Sequence, residues 1–176
     1  MKVLLLCGGT SGEHEISLSS AASVERALRA HGHEVLTLTL GKEGGASWQR
    51  EQGRVGDGLI AAMDWGADIA FIAMHGAFGE DGRVQGALEV LDLPYQGSGV
   101  AASAIAMDKA RAKEVYRQAG LPVAGDLVLF ARERERVDWA EVAHAIGFPC
   151  VLKTAESGSS VGVEVVHSLE ALQEIG

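Results

Sequence analysis

Lysines and a run of small residues near the end of the chain have the composition of a phosphate clamp. Lys153 closes an apolar run, Cys150–Lys153, in which an ammonium group is costly unless an anion meets it. The small residues of Ser157–Gly162 would allow backbone N–H groups and hydroxyls to fold over phosphate oxygens. Lys109 is a second candidate cation, although taken alone it is more simply a lysine on a helix surface.

A second group of candidate residues follows the first apolar run, Lys2–Cys7. The loop Gly8–Gly12 lacks the Gly-x-Gly-x-x-Gly spacing of a dinucleotide fingerprint. Glu13 and Glu15 would repel a pyrophosphate, whereas a carboxylate suits a cationic group such as the ammonium of an amino acid. The simpler alternative is that both carboxylates favour the dipole of a helix that begins there, at about 0.3–1 kcal/mol each.

The histidines and serines give one further candidate residue and argue against a metal site and against a serine hydrolase. His75 ends a buried run at the position where open α/β sheets bind ligands, so a structural role and a site role have equal weight. His31 and His33 lack acidic or thiol partners and are interpreted as structural, and we predict no metal site in this chain. In Gly97–Gly99 the glycines lie too close to the serine for the nucleophile elbow of a hydrolase.

The elements that must position these residues alternate between strands and helices over the first part of the chain. Apolar runs predict strands at Lys2–Cys7, Glu34–Leu40, Ala67–Met74 and Leu93–Gln96, and helical spacing occurs around Leu18–Leu28 and Val84–Leu91. Gly41–Gly58 is a long connection of undefined structure. This alternation predicts an α/β fold, an open parallel sheet with helices on both faces and ligands beyond the carboxyl ends of its strands.

The pattern changes after Gly99, and we predict domains at 1–99 and 100–176. The elements expected in the second are a helical stretch at Val100–Ala119, strands at Asp126–Phe130, Phe148–Lys153 and Val163–His167, a solvated face at Arg132–Arg136, and helices at Trp139–Ile146 and from Ser168. Strands without a helix between them predict an antiparallel hairpin and an α+β lobe. With fewer than about eighty residues, this lobe is expected to be incomplete.

Composition excludes several classes of protein. Hydrophobic residues make up 47% of the 176 residues, as in globular proteins, and no apolar run is long enough to span a membrane. The net charge of −9 argues against nucleic-acid binding, which needs clustered Lys and Arg. The two cysteines, Cys7 and Cys150, lie in apolar runs and predict buried, reduced thiols, which favours the cytoplasm.

Four blocks of this sequence resemble the D-alanine–D-alanine ligase family of ATP-grasp enzymes, which act in peptidoglycan synthesis. They are Gly8–Leu18, the highly specific His75–Gly86, Leu93–Lys109, and Lys153 with Gly158–Gly162. The resemblance implies a Rossmann-like pre-ATP-grasp substrate domain followed by the beginning of an α+β ATP-grasp lobe. It also implies that ATP phosphorylates the carboxylate of one D-alanine, and that the amine of a second D-alanine attacks this acyl phosphate.

The resemblance implies a role for each candidate residue. Glu13 would bind the ammonium of the first D-alanine, Ser159 would hydrogen-bond Glu13, and His75 would help to place that substrate near the oxyanion. Lys109 and Lys153 would contact ATP phosphates. The loop over the γ-phosphate would be formed by Ser159, Ser160, Val161 and Gly162. Glu80–Gly82 is interpreted as shaping its loop.

The sequence also departs from the family pattern. Thr154 stands where the family usually has proline, and the family's lid and its magnesium ligands are not found. The resemblance implies ATP and Mg²⁺ as cofactors, with the metal ligands in a missing C-terminal part. Because these parts are not found, we expect no ligase activity from residues 1–176 alone. The resemblance further implies a homodimer. The alternatives are a relative that makes a D-alanyl ester or another D-amino-acid dipeptide, and a non-catalytic module that binds a small molecule.

Overall fold

The computed structural model describes residues 1–156, 158 and 162–175. The chain divides into two compact units, Met1–Met107 and Asp108–Gly176. The domain boundary expected after Gly99 stays a prediction. In the described part of the chain, no helix combines the length and apolar character needed to cross a membrane.

A five-stranded sheet forms the centre of the first unit. Its strands are β1 (Lys2–Gly8), β2 (Glu34–Leu40), β3 (Ala46–Trp48), β4 (Glu51–Gly53) and β5 (Ile69–Ile72), in the order β4-β3-β2-β1-β5. Strand β1 pairs in parallel with both β2 and β5, whereas β3 and β4 are antiparallel. The predicted α/β sheet is confirmed, and the antiparallel strands extend it at one edge.

Helices cover both faces of this sheet, as predicted. Because β1 lies between β2 and β5 with helices on both faces, its residues from Val3 to Cys7 are all buried, which explains the continuous apolar run. Helix α1 (His14–Ala30) packs on the face that includes Leu5 and Cys7. Helices α2 (Val55–Trp65) and α3 (Arg83–Val90) pack on the opposite face, with Leu4 and Leu6.

Three sequence predictions in the first unit need correction. The undefined segment Gly41–Gly58 contains β3, β4 and the start of α2. The strand expected at Ala67–Met74 is shorter. The strand expected at Leu93–Gln96 is reduced to one bridge between Ala70 and Tyr95.

Side-chain and backbone groups of the segment after α3 cover the outer edge of β5. The Ala70 N–H donates to the carbonyl of Pro94 at 2.7 Å. The Gln96 side chain accepts from the Ile72 N–H at 2.8 Å and donates to the Ile72 carbonyl at 2.9 Å. A glutamine amide therefore occupies the position that a neighbouring strand would take.

The helical stretch predicted at Val100–Ala119 is two helices, α4 (Val100–Met107) and α5 (Lys109–Gln118). Asp108 stands between them with extended backbone, and its carboxylate accepts from the N–H groups of Ala110 and Arg111. This arrangement is the N-cap of a new helix, so the apolar periodicity continues while the helix does not.

The second unit contains α5, α6 (Trp139–Ile146), β6 (Cys150–Lys153), β7 (Val163–Val166) and α7 (Leu169–Ile175). Strands β6 and β7 pair antiparallel, which confirms the predicted hairpin. The strand predicted at Asp126–Phe130 is wrong, because a strand needs a pairing partner and none is present among the described residues. The charged run becomes an exposed 3₁₀ helix, Ala131–Arg136, as expected for a solvated face.

The two cysteines are free and differ in environment. Cys7 is buried, while Cys150 is half-buried, so the predicted burial of both thiols is correct for Cys7 only. Burial raises the pKa of the Cys7 thiol above its ordinary value of 9.0, a hydrogen bond with Thr39 lowers it, and the charge of Glu25 raises it. This thiol is therefore a packing group at neutral pH.

Candidate functional site

The parallel pairing of β1 and β5 brings the loops that follow these strands together. Ser17, in the first turns of α1, is fully buried between the two strand ends. Its hydroxyl donates to the Ala73 carbonyl at 2.7 Å and accepts from the Gly8 N–H at 2.8 Å. One side chain thus fixes the start of the first loop against the start of the second.

Ser11 joins the same two loops closer to the candidate residues. Its hydroxyl donates to the His75 carbonyl at 2.8 Å and accepts from the backbone N–H of Glu13 at 3.2 Å. Glu13 is the N-cap residue of α1, and its side chain makes no capping hydrogen bond. The Glu13 carboxylate is therefore available on the loop side of the helix.

Gly76 allows the Glu13 carboxylate to approach the second loop. A β-carbon placed on Gly76 would lie 2.7 Å from Glu13 Oε2 and 3.2 Å from Ser11 Cβ. The backbone of Gly76 also has φ +70°, a conformation that side chains rarely adopt. The structure therefore brings the Glu13 carboxylate close to Gly76, the residue after His75, so the loops that follow two separate strands meet at this point.

Two side chains flank the half-buried imidazole of His75. Its Nε2 lies 3.2 Å from Ser20 Oγ, and its Nδ1 lies 3.9 Å from Glu80 Oε1. The other carboxylate oxygen of Glu80 accepts the Gly76 N–H at 2.7 Å. Glu80 therefore contacts both the side chain and the backbone of this loop.

Asp81 and Gln85 hold the remainder of the loop, Gly76–Gly82. The Asp81 carboxylate accepts from the N–H groups of Phe78 at 2.7 Å and Arg83 at 3.1 Å. The buried Gln85 side chain donates to the Gly79 carbonyl at 2.8 Å. The structure supports the loop-shaping interpretation for Asp81, whose carboxylate is used by backbone donors.

The second unit gathers the lysine candidates at the hairpin loop between β6 and β7. Lys153 is the last residue of β6 and pairs with Val163 across the hairpin. The backbone N–H of Lys109 donates to the carbonyl of Ala155, in that loop, at 3.0 Å, and its Nζ lies 3.4 Å from the same oxygen. Lys109 and Lys153 therefore both lie near the start of this loop.

The expectation that Lys153 is buried beside this loop is wrong, and part of the loop lies outside the described residues. The Lys153 side chain is exposed, so the cost of burying its ammonium group does not apply in this structure. Gly162 precedes β7 with φ +68°, and a β-carbon placed on it would lie 3.3 Å from Thr154 Cγ2. The predicted phosphate-loop residues Ser159, Ser160 and Val161 lie outside the described residues.

Sequence reasoning assigned no role to Ser11, Ser17 and Ser20, which position the candidate residues. A signal existed for two of them, because Ser17 and Ser20 are three residues apart and share a helix face with the buried Ala21. Hydroxyls on a helix face that packs against a sheet need partners at the strand ends. No group of three or more His, Cys, Asp or Glu residues in the described ranges could hold a metal ion.

The mixed sheet with flanking helices defines an α/β protein, and the polar side chains beyond the carboxyl ends of β1 and β5 lie where open sheets of this class bind small ligands. The family model for the D-ala D-ala ligase N-terminus matches residues 2–65 and 59–98, and that for the C-terminus matches residues 115–175. The chain belongs to the D-alanine–D-alanine ligase family, as its sequence blocks predicted.

Curated relatives and solved structures give the extent of the similarity. The D-alanine–D-alanine ligase of Geobacter sulfurreducens is 43% identical over 171 residues, which are 97% of this chain and 48% of that protein. The ligase of Ruegeria sp. is 45% identical over 169 residues, 94% and 48% of the two chains. The chain spans about half the length of these curated relatives.

The structural match extends over almost the whole chain. The crystal structure of D-alanine–D-alanine ligase from Bacillus anthracis has a TM-score of 0.82 at 32% identity, with 99% of this chain and 52% of that chain covered. The structure of the ligase from Coxiella burnetii has a TM-score of 0.83 at 28% identity, with 99% and 59% covered.

Proposed function

We propose that this chain provides the first D-alanine site and a phosphate-binding segment for the ATP-dependent ligation of two D-alanines, a step of peptidoglycan synthesis. The observation that carries the proposal is the close approach of the Glu13 carboxylate to Gly76, the residue after His75, with Ser11 joining the two loops at the carboxyl ends of β1 and β5. Membership in the ligase family and the names of the curated relatives support it.

The proposed chemistry uses this cluster to bind and orient the first substrate. The Glu13 carboxylate accepts hydrogen bonds from the D-alanine ammonium, and such charge-assisted bonds are stronger than neutral ones. His75, held beside it, helps to direct the substrate carboxylate. A carboxylate is a poor electrophile, so the reaction needs ATP to convert it into an acyl phosphate that the second amine can attack.

The second unit is proposed to hold the phosphates of ATP. Lys109 and Lys153 would neutralise phosphate charge, and Gly162 with Ser159, Ser160 and Val161 would cover the transferred group. Phosphoryl transfer depends mainly on positioning and on stabilisation of charge, which suits two cations beside one loop rich in glycine and serine. This assignment is supported by the contact of Lys109 with the Ala155 carbonyl beside the end of β6.

Two further parts of the proposal, Mg²⁺ as a cofactor and a homodimer, come from the family resemblance. The cytoplasm is proposed as the compartment because the two cysteines are free thiols. The described residues offer no group of three metal-binding side chains, so we assign to them no step through the metal.

Titration of the chain with D-alanine, followed by the backbone amide signals in NMR spectra, tests the first site. We expect D-alanine to shift the amides of the two loops, and N-acetyl-D-alanine, which lacks the ammonium, to leave them unchanged. Glu13→Gln should weaken binding about 10- to 100-fold, since a hydrogen bond to a charged group is worth about 1.5–3 kcal/mol. Glu15→Gln is the matched control, because it removes an exposed carboxylate from the same helical turn.

A chimera tests the reaction. In it, this chain replaces the matching part of the Geobacter sulfurreducens ligase, and ADP release and D-alanyl-D-alanine are both measured. We expect ADP release that depends on D-alanine and is lost with Glu13→Gln. A folded chimera that binds ATP but makes no dipeptide would contradict the proposed function. Formation of a D-alanyl ester or of another D-amino-acid dipeptide would support the related-ligase alternative.

A further inference from the structure

A side chain lies beside each nitrogen of the His75 imidazole, and the geometry points to Glu80 and Ser20 as positioning residues of the D-alanine site. This inference rests on the proposed function. It adds two residues that act through His75, and neither needs to touch the substrate. One approaches from the loop after β5 and the other from helix α1.

Glu80 performs two tasks with its two carboxylate oxygens. Oε2 accepts the Gly76 N–H at 2.7 Å, which fixes the carboxylate against the backbone next to His75. Oε1 then lies 3.9 Å from His75 Nδ1, within the distance of an ion pair and longer than a hydrogen bond. Contacts in unliganded sites often shorten when the substrate binds.

Ser20 approaches the opposite nitrogen from a rigid element. Its Oγ lies 3.2 Å from His75 Nε2, and Ser20 stands one turn after Ser17 on α1. The hydroxyl of Ser17 anchors this part of α1 to the ends of β1 and β5. The ring of His75 is therefore located relative to the sheet through α1 as well as through its own backbone.

This arrangement selects one tautomer of the neutral imidazole. An ionised carboxylate only accepts hydrogen bonds, so Glu80 favours a proton on Nδ1. Nε2 is then the acceptor, and the Ser20 hydroxyl, which can donate, complements it. Positioning and tautomer are set together, which is the role that supporting groups have around catalytic histidines.

The test compares three variants by ¹⁵N NMR of the His75 ring in the 176-residue chain, at about pH 9, where histidine side chains are ordinarily neutral. Glu80→Gln keeps an oxygen for the Gly76 N–H but presents an amide donor to the ring. Ser20→Ala removes the hydroxyl at Nε2 and leaves the Gly76 loop untouched. Asp81→Asn is the matched control, because Asp81 holds the same loop through Phe78 and Arg83.

We expect Glu80→Gln to move the ring proton from Nδ1 to Nε2, and Ser20→Ala to shift the Nε2 signal. Asp81→Asn should change loop amides without moving the ring proton. If Glu80→Gln and Asp81→Asn have the same effect on the ring, Glu80 only shapes the loop and the inference is overturned. An unchanged Nε2 signal in Ser20→Ala overturns the role of Ser20.

The chimera described above supplies the functional readout. We expect Glu80→Gln and Ser20→Ala each to lower kcat/KM for D-alanine, by up to about 100-fold, the loss typical of a misplacement near 1 Å. Wild-type activity in both variants would overturn the inference even if the tautomer changes. An unsubstituted chimera without ligase activity would instead count against the proposed function. The ring signals measured in the 176-residue chain would still test the roles of Glu80 and Ser20.

Discussion

At the scale of single residues, Gly76 carries two separate requirements, a positive φ and space for the Glu13 carboxylate. Gly76→Ala should destabilise the protein by about 1–2 kcal/mol through the backbone alone, and it should also displace Glu13. We therefore expect Gly76→Ala to abolish the amide shifts caused by D-alanine, in addition to lowering the free energy of unfolding in urea.

Gly32→Ala is the control for this prediction. Gly32 has φ +77°, but a β-carbon there would meet nothing within 4 Å. The backbone cost is shared, so Gly32→Ala should lower stability and retain D-alanine binding. Equal loss of binding in the two variants would contradict a specific role for the space at Gly76.

The buried thiol of Cys7 predicts a pH dependence of stability. Its pKa is raised above 9.0 in the folded protein, mainly by burial. As the pH rises through the unfolded-state pKa, the unfolded chain loses a proton that the folded chain keeps, so the free energy of unfolding falls. Below that pKa the group contributes no such dependence.

Urea unfolding at a series of pH values below and above 9.0, the ordinary pKa of the Cys7 thiol, measures this effect. Cys7→Ala should reduce the decline in stability with pH, whereas Cys150→Ala should preserve it because Cys7 remains. The same slope in wild type and Cys7→Ala would show that another group governs alkaline unfolding.

Sequence reasoning located candidate residues better than it judged their surroundings. Glu13 and His75 follow apolar runs, and parallel pairing places such residues at one sheet edge, so their proximity was predictable. The exposure of Lys153 was not, because an apolar run does not show which strand faces are covered. The flanking of His75 by Ser20 and Glu80 depends on the rotation of α1 and on a loop turn, which the spacing does not encode.

At the scale of elements, the Ser17 hydroxyl links α1 to both β1 and β5. Ser17→Ala would leave the Gly8 N–H and the Ala73 carbonyl without this buried partner, at a cost of about 1–3 kcal/mol. We expect a lower free energy of unfolding in urea and a broadening of the amide signals of both loops.

The exposed Ser23, whose hydroxyl bonds only within α1 in the described structure, provides the matched substitution Ser23→Ala. It changes the same residue type in the same helix, so helix propensity cancels in the comparison. A similar loss of stability in the two variants would argue that propensity, and not the link between strands, explains the effect at Ser17.

The elements that sequence analysis found are those whose pattern is set locally. Strand β2 and helix α6 have the predicted bounds, because an apolar run and a helical stripe are bounded by breakers. Helix α2 was missed because Gly58 interrupts its pattern. The helix has glycine at this position because a β-carbon there would lie 2.3 Å from Leu38 Cδ1. Tertiary packing therefore explains the glycine at this position. Tertiary structure also explains why Asp126–Phe130 does not form a strand, since no pairing partner lies beside it in the described residues.

At the scale of the whole molecule, the two units differ in how much apolar surface each buries. The first unit holds two clusters of buried side chains around β1. In the described part of the second unit, the buried side chains are those of Ala112, Val166 and Leu172. Local stability follows burial, so the units should open with different free energies.

Hydrogen exchange measured by NMR tests this difference. We expect the amides of β1 and β2 to exchange most slowly, near the limit of global unfolding, and those of β6 and β7 to exchange much faster. Equal protection of the β1–β2 and β6–β7 amides would contradict the expectation and would indicate that the chain unfolds as one cooperative body.

The amide of Gln96 against the backbone of Ile72 has a consequence for the behaviour of the protein in crowded solution. An open strand edge with free N–H and C=O groups recruits strands from other molecules. On the outer edge of β5, the Ala70 N–H is bonded to the Pro94 carbonyl, and both the N–H and the carbonyl of Ile72 are bonded to the Gln96 side chain. A side chain in the place of a neighbouring strand thus leaves fewer free backbone groups at this edge for a strand of another molecule to pair with.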